Sequence, residues 1–255
     1  WLGFPAMGGG GAGISFFVLS WLSLFAFLAI WKFDKFYRPM HVEKFVGPRW
    51  ELLKNHLHVG VPMGLSTFFE VSSFTLMAIF ISRLGEETVS AHQIVANLTP
   101  MLYMVPLSLG IASSFLSSQS LGARWPAVAE FILRRTLKIS IVIAAVLATL
   151  LYIFKGNVIA LYTSDAGVAA TAAALVAFGC TYHVFGAMQA VSSVALRGYR
   201  VTRAPMFIYG IMLWGVGIGI GYQLAFGAEW AGGPYGAFGF WGATAVGLIL
   251  TGLSL

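Results

Sequence analysis

Seven apolar runs, at 12–31, 59–83, 90–115, 135–154, 168–196, 205–226 and 235–255, account for most of this 255-residue sequence. Each meets or exceeds the ~20 residues a helix needs to cross a hydrocarbon core about 30 Å thick. In lipid every backbone N–H and C=O has to be satisfied within the segment, so runs of this kind fold as helices. Composition agrees: 58% of residues are apolar and 9% are charged, against ~25% charged in soluble proteins, and mean hydropathy is +0.84. The expected fold class is an all-α polytopic membrane protein with about seven transmembrane helices. The Pro- and Gly-rich opening, WLGFPAMGGGG at 1–11, is not expected to form a stable helix of its own.

The basic residues set the topology. Six of the 15 Lys and Arg lie in the polar segment 32–58 (Lys32, Lys35, Arg38, Lys44, Arg49, Lys54). Four lie at 116–138 (Arg124, Arg134, Arg135, Lys138) and three at 197–204 (Arg197, Arg200, Arg203). The alternate loops hold only Arg83 and Lys155, a bias of thirteen to two that makes the basic loops cytoplasmic. Trp50, Trp125, Tyr152, Tyr162 and Trp230 fall near span ends, where an aromatic belt places them. The net charge of +6 could suggest nucleic acid, but the cations are spread thinly between apolar runs, so no nucleic-acid partner is expected and the lipid bilayer is. The start at Trp1, without Met, and the end inside an apolar run are those of a piece of a longer protein, and no signal peptide is visible.

One carboxylate sits in the middle of the second run. Glu70 lies roughly 16 Å of helix from Val59 and 20 Å from Arg83, at bilayer mid-depth. An acid there costs about 2.5–3.5 kcal/mol on insertion scales, so such residues face a protein interior or a wet cavity and handle ions or substrates; the plain alternative is a protonated, hydrogen-bonded packing residue. Ser66, Thr67 and Ser73 stand three or four residues away and form a polar stripe with Glu70. Phe68, Phe69 and Phe74 add aromatic surface suited to a flat organic cation, or to lipid. Gln93 and Asn97 share a face of the next helix, beside His92, as cavity lining or as interhelical glue. Tyr182, His183 and Gln189 belong to the 168–196 run, with His183 near mid-depth as a candidate proton relay or a structural residue.

Other features carry less. Pro62, Pro100 and Pro106 interrupt helices and permit bends. Gly215, Gly217, Gly219 and Gly221 form two overlapping small-xxx-small pairs that favour close packing of another helix. The glycines at 8–13 follow no strand and are no phosphate loop, and Asn97-Leu98-Thr99 lies in an apolar run, where no glycan is attached. Cys180 is the one cysteine, which excludes an internal disulfide and a thiolate zinc site. No His-Glu-x-x-His, Gly-x-Ser-x-Gly, Walker sequence or membrane aspartate pair is present, so no enzyme activity and no cofactor are expected.

The segments PMGLSTFFEV (62–71), SAHQIVANL (90–98), LSLGIASS (107–114) and ALRGYR (195–200) resemble the multidrug and toxic compound extrusion family, MATE, of the bacterial NorM type. The resemblance implies a twelve-helix, two-lobed transporter. Residues 1–31 would then be the last helix of the first lobe, 32–58 the cytoplasmic linker between lobes and 59–255 the second lobe, with the N-terminal lobe of the same protein as its missing partner. It also implies a multi-pass protein of the bacterial plasma membrane, an antiporter that exports small amphipathic organic cations in exchange for H⁺ or Na⁺. In that family one acid of the second lobe matches Glu70; the second falls at Gly186, which has no carboxylate. The expectation is H⁺ coupling through Glu70, with His183 as an auxiliary titrating group and Na⁺ at Glu70 as the other possibility. Ser66, Thr67, Phe69, Ser73, Gln93, Asn97, Tyr182 and Gln189 are the candidate cavity lining. Arg197 is expected to snorkel to lipid headgroups. The competing functions are a lipid-linked oligosaccharide flippase of the same superfamily, which calls for cations in its cavity, and a membrane scaffold that transports nothing.

Overall fold

The structure is a computed structural model that describes residues 8–34, 47–227, 229 and 232–255. Residues 35–46 of the 32–58 segment, with Lys35, Arg38, Pro39 and Lys44, lie outside the described residues, as do residues 1–7 and Trp230. Contacts divide the chain into two units, residues 1–53 and 54–255. Seven helices among the described residues are long and apolar enough to cross a membrane, and no strand is present among those residues.

In the first unit α1 runs over Gly8–Phe33 and carries a ring ladder, Phe17 on Trp21 on Phe25, with Ser15 and Ser20 bonded to carbonyls one turn back. Its start corrects the expectation for residues 1–11, because Gly8 to Gly11 are helical. Each glycine costs about 1 kcal/mol in a helix, yet elongation from a nucleus already formed adds a hydrogen bond per residue. An unsatisfied peptide group at membrane depth costs several kcal/mol, so the helix carries its glycines.

The second unit is a bundle. Helix α2 spans Trp50–Ile81 and ends in a 3₁₀ turn, Ser82–Leu84. Helix α3 is Glu86–Gly122, α4 is Pro126–Ala160 and α5 is Ala166–Gly198. The next span is composite: α6 (Arg203–Tyr209), a π-helical stretch (Gly210–Ile220) and α7 (Gly221–Phe226). Helix α8 (Ala237–Ser254) closes the bundle. Pro62, Pro100 and Pro106 lie within α2 and α3, which continue across them. Helix α4 begins nine residues before the expected 135, because Pro126 is pre-set for the first helical turn and Trp125 precedes it. Helices α3 and α5 both stop with a left-handed arginine just past the end, Arg124 at φ 62° and Arg200 at φ 59°. The amides of Trp125 and Val201 reach back to the carbonyls of Ser120 and Leu196, a closing pattern that satisfies orphan carbonyls.

Helix α5 is the hub, packed on α3, α4 and α8, while α8 also packs on the π-helical stretch. Small residues set these distances. A Cβ at Gly110 would stand 3.3 Å from the Val191 Cα, so α3 and α5 touch nearly backbone to backbone. Of the Gly215–Gly221 series, Gly217 and Gly221 face α8, whereas Gly215 has nothing near it. The tightest approach comes from glycines of α8 itself, Gly239 against the backbone of Leu224 and Ala225, and Gly247 against the Met212 carbonyl. Helix α2 is held differently, through large side chains. Phe69 packs edge-on against Trp214, Phe74 edge-on against Trp241, and Phe80 stacks on Phe240. These rings hold α2 off from its neighbours, and a cavity opens beside Glu70.

Candidate functional site: a cavity around Glu70

A helix turns about 100° per residue, which sorts the polar residues of α2 into two faces. Thr67, Val71 and Phe74 lie roughly 40–100° to one side of Glu70, and Ser66 and Ser73 roughly 40–60° to the other. The first group lines a cavity of about 550 Å³ together with Glu70. Ser66 and Ser73 are buried on the other face and donate to carbonyls of their own helix, Ser66 Oγ to Pro62 at 2.9 Å and Ser73 Oγ to Glu70 at 2.9 Å. Short hydroxyl side chains within helices take up such backbone bonds readily, which removes these two from the cavity wall. Phe69 also lies outside it, packed over Gly210 and Trp214.

Helix α3 contributes Thr99, Pro100, Tyr103, Leu107 and Ile111 to the cavity; α5 contributes Tyr182, Gln189, Ser193 and Arg197; and Tyr209 comes from the end of α6. On α5 these positions fall at intervals of seven, four and four residues, a single helical face. Tyr103 Oη donates to Glu70 Oε1 at 3.0 Å, and Gln189 Nε2 donates to the same oxygen at 3.4 Å. Gln189 also donates to the hydroxyl of Tyr209, and its own Oε1 receives the Tyr103 hydroxyl at 3.5 Å. Gln189 and Tyr209 are fully buried, at 1% and 0% exposure, so this side of the chain of bonds is fixed by packing. No described bond uses Glu70 Oε2, and the half-buried carboxyl therefore keeps acceptor capacity for a proton or a cation. Phe74 and Tyr182 form one wall, with ring centroids 6.4 Å apart, and both meet Trp241 edge-on behind it.

Gln93 and Asn97 stand elsewhere. They lie on a stripe of α3 with Glu86 and Ser90 and line a separate cavity of about 610 Å³ with Glu87, Tyr162 and Asp165. From Gln93 to Tyr103 the helix advances about 15 Å and turns away by roughly 80°, which separates the two surfaces. His183 is 1% exposed, neither ring nitrogen has a described hydrogen-bond partner, and it does not line the Glu70 cavity. His92 accepts from Trp241 Nε1 at 3.3 Å and lies tilted against Phe74, ring centroids 6.2 Å apart, so it braces the aromatic wall. Arg197, expected at lipid headgroups, lines the Glu70 cavity. Tyr103 and Tyr209 were missed in the sequence, where each stands alone in an apolar context, and Ser193 was missed although it stands four residues from both Gln189 and Arg197.

A Cβ at Gly186 would stand 4.0 Å from Tyr103 Cδ2 and 3.3 Å from Leu248 Cδ2. The position without a carboxylate therefore borders the side chain that bonds Glu70. Among the described residues no group of three or more His, Cys, Asp and Glu side chains is placed to hold a metal ion.

The profile of the MatE family matches residues 62–223, more than half of the chain. "Probable multidrug resistance protein NorM" of Aromatoleum aromaticum is 39% identical over 249 residues, 97% of this chain and 54% of that protein. The protein of the same description from Neisseria meningitidis serogroup B is 34% identical over 257 residues, 99% of this chain and 54% of that protein. The chain thus spans about half the length of the curated relatives it matches. Among solved structures, the eukaryotic MATE transporter AtDTX14 superposes with a TM-score of 0.83 at 20% identity, over 96% of this chain and 54% of that one. A MOP superfamily transporter from Pyrococcus furiosus superposes with a TM-score of 0.67 at 16% identity, over 77% of this chain and 42% of that one. These likenesses show the fold: one helix and a six-helix lobe of a two-lobed, twelve-helix architecture.

Proposed function

We propose that this chain, which belongs to the MatE family, is the second lobe and preceding helix of a bacterial inner-membrane antiporter that exports amphipathic organic cations in exchange for protons. The observation that carries this reading is the Glu70 cavity: one carboxyl group, held by Tyr103 and Gln189, beside an aromatic wall. A deprotonated Glu70 attracts an ammonium group, and the faces of Phe74 and Tyr182 suit its delocalised or flat portion. A proton on Glu70 cancels that attraction. Proton and organic cation then compete for one group, and the competition couples the two fluxes when the cavity opens alternately to either side. Acid outside favours release there, so a pH gradient, acid outside, drives export. Sodium needs several oxygen ligands, and a single carboxylate with hydroxyls and an amide oxygen is a weak set for it.

Two outcomes test the ion. In the full-length protein, Gly186→Asp adds a carboxylate next to Tyr103, and we expect export to gain a saturable dependence on Na⁺ that the parent lacks. An unchanged Na⁺ response would mean that the new acid does not share the Glu70 site. His183→Ala is expected to leave the pH profile of export unaltered, since no described hydrogen bond links His183 to Glu70. A displaced profile would restore His183 as an auxiliary titrating group.

The separate test of transport itself is export of a lipophilic ammonium dye from cells that make the full-length protein, measured against cells that lack it. Verified membrane insertion without export would leave the scaffold reading.

A further inference from the structure

We propose that Arg197 is the resident counter-ion of Glu70 and a specificity-determining residue of its cavity, which it keeps neutral when empty and selective for organic cations that carry a single charge. The proposal rests on reading this cavity as the substrate site. Among the described residues that line it, Glu70 and Arg197 are the charged ones, an acid on α2 and a guanidinium on α5. The other titratable groups around the acid are the hydroxyls of Tyr103 on α3, Tyr182 on α5 and Tyr209 at the end of α6.

Gln189 touches Glu70, and Ser193 and Arg197 follow it at four-residue intervals on the same face of α5. Helical side chains lean toward the N-terminal end of their helix, so the long Arg197 side chain reaches back along α5 toward Gln189 and the acid. No described hydrogen bond or ion pair joins Arg197 to Glu70; the guanidinium acts on the carboxylate by charge, across the cavity. The polar groups between them are already engaged, because Gln189 donates to the Tyr209 hydroxyl and Ser193 shares a hydrogen bond with it. Neither neutralises the guanidinium. An organic cation at Glu70 is therefore attracted by the acid and repelled by Arg197, and a second positive charge on the same molecule finds no second acid among the lining residues. A proton on Glu70 meets the same repulsion. Removal of the Arg197 charge should tighten the binding of proton and organic cation together, and of dications most. A cation that served only lipid headgroups or helix packing would do neither.

The probes are pentyltrimethylammonium and 1,5-bis(trimethylammonio)pentane, which differ by the second charge. Binding of each to the purified full-length protein in phosphatidylcholine nanodiscs is measured by isothermal titration over a series of pH values. The parent protein is expected to prefer the monocation. Arg197→Gln should raise the ratio of dication to monocation affinity by at least ~5-fold, and should raise by about 1 unit the pH at which acid halves monocation binding. Arg197→Lys keeps the charge and should keep both parental values. Failure of either shift in folded Arg197→Gln overturns the proposal, as does equal weakening of both probes, which assigns the guanidinium to lipid headgroups or to folding. If Arg197→Gln does not fold, Arg197→Met takes its place. If neither neutral variant folds, Arg197→Lys decides: the parental ratio supports the proposal and a displaced ratio overturns it. A parent protein that binds both probes equally refutes the counter-ion and leaves the cation site standing, whereas one that binds neither refutes the cation site itself.

Discussion

Export by the full-length Glu70→Gln variant is expected to fall to the level of cells without the transporter, while the protein stays folded. Glutamine keeps the shape of the side chain, and its amide oxygen still accepts from Tyr103 and Gln189. What it loses is the charge. A charge-assisted contact to an ammonium in a partly dehydrated cavity is worth about 2–5 kcal/mol, so losing ~3 kcal/mol weakens cation binding by ~100-fold. Glutamine also carries no exchangeable proton in this range, and the pH dependence of what export remains should be flat. The thermal midpoint of the variant should stay within about 2 °C of the parent, because the bonds on Oε1 survive. A folded variant that exports at the parental rate would remove Glu70 from the mechanism, and cell survival in the presence of a toxic organic cation measures this directly.

Gly247→Ala is expected to produce the largest loss of stability of any single-methyl addition in the bundle. The added Cβ would stand 2.6 Å from the Met212 carbonyl oxygen and 3.5 Å from the Gly217 nitrogen, both backbone atoms. Backbone cannot rotate away as a side-chain end does, so α8 and the π-helical stretch have to separate. Overpacking of this kind costs about 1–3 kcal/mol or more, and at ~3 kcal/mol the melting midpoint falls by roughly 6–12 °C. Gly239→Ala, with Leu224 C at 2.8 Å and Ala225 N at 2.9 Å, should behave alike. Gly215→Ala is the control: nothing lies within 4 Å of its Cβ position, and its midpoint should match the parent or exceed it slightly. Thermal unfolding of the three purified full-length variants distinguishes close helix contact from a general intolerance of alanine.

The helices and the key carboxylate were legible in the sequence because lipid leaves the backbone few choices and makes one acid in an apolar run conspicuous. The partners of that acid were not. Tyr103 and Tyr209 lie 33 residues after and 139 residues after Glu70, and only the packing of α3, α5 and α6 around α2 brings them near Gln189. Helical spacing put Ser66 and Ser73 beside Glu70 along the helix, but it could not show that their hydroxyls bond their own backbone. Gln93 and Asn97 read as a polar pair and are one, on a stripe that opens into the other cavity. The π-helical stretch 210–220 was hidden for a different reason. Its glycines announce close contact, but nothing in their spacing marks the change of hydrogen-bond register where Gly247 of α8 lies against the Met212 carbonyl. Arg197 shows how position misleads: a cation at a cytoplasmic helix end suits lipid headgroups, and its place beside Ser193 on the α5 stripe directs it to the cavity.

The central claim is that a proton and an organic cation compete for Glu70. Its most direct test is the full-length protein reconstituted in liposomes, with pH and Na⁺ gradients imposed one at a time and uptake or release of a fluorescent organic cation followed. The account predicts that a pH gradient alone drives cation movement against its own gradient, that a Na⁺ gradient alone does not, and that Glu70→Gln abolishes the pH-driven flux. Movement driven by Na⁺ alone, or pH-driven movement that persists in Glu70→Gln, would contradict it.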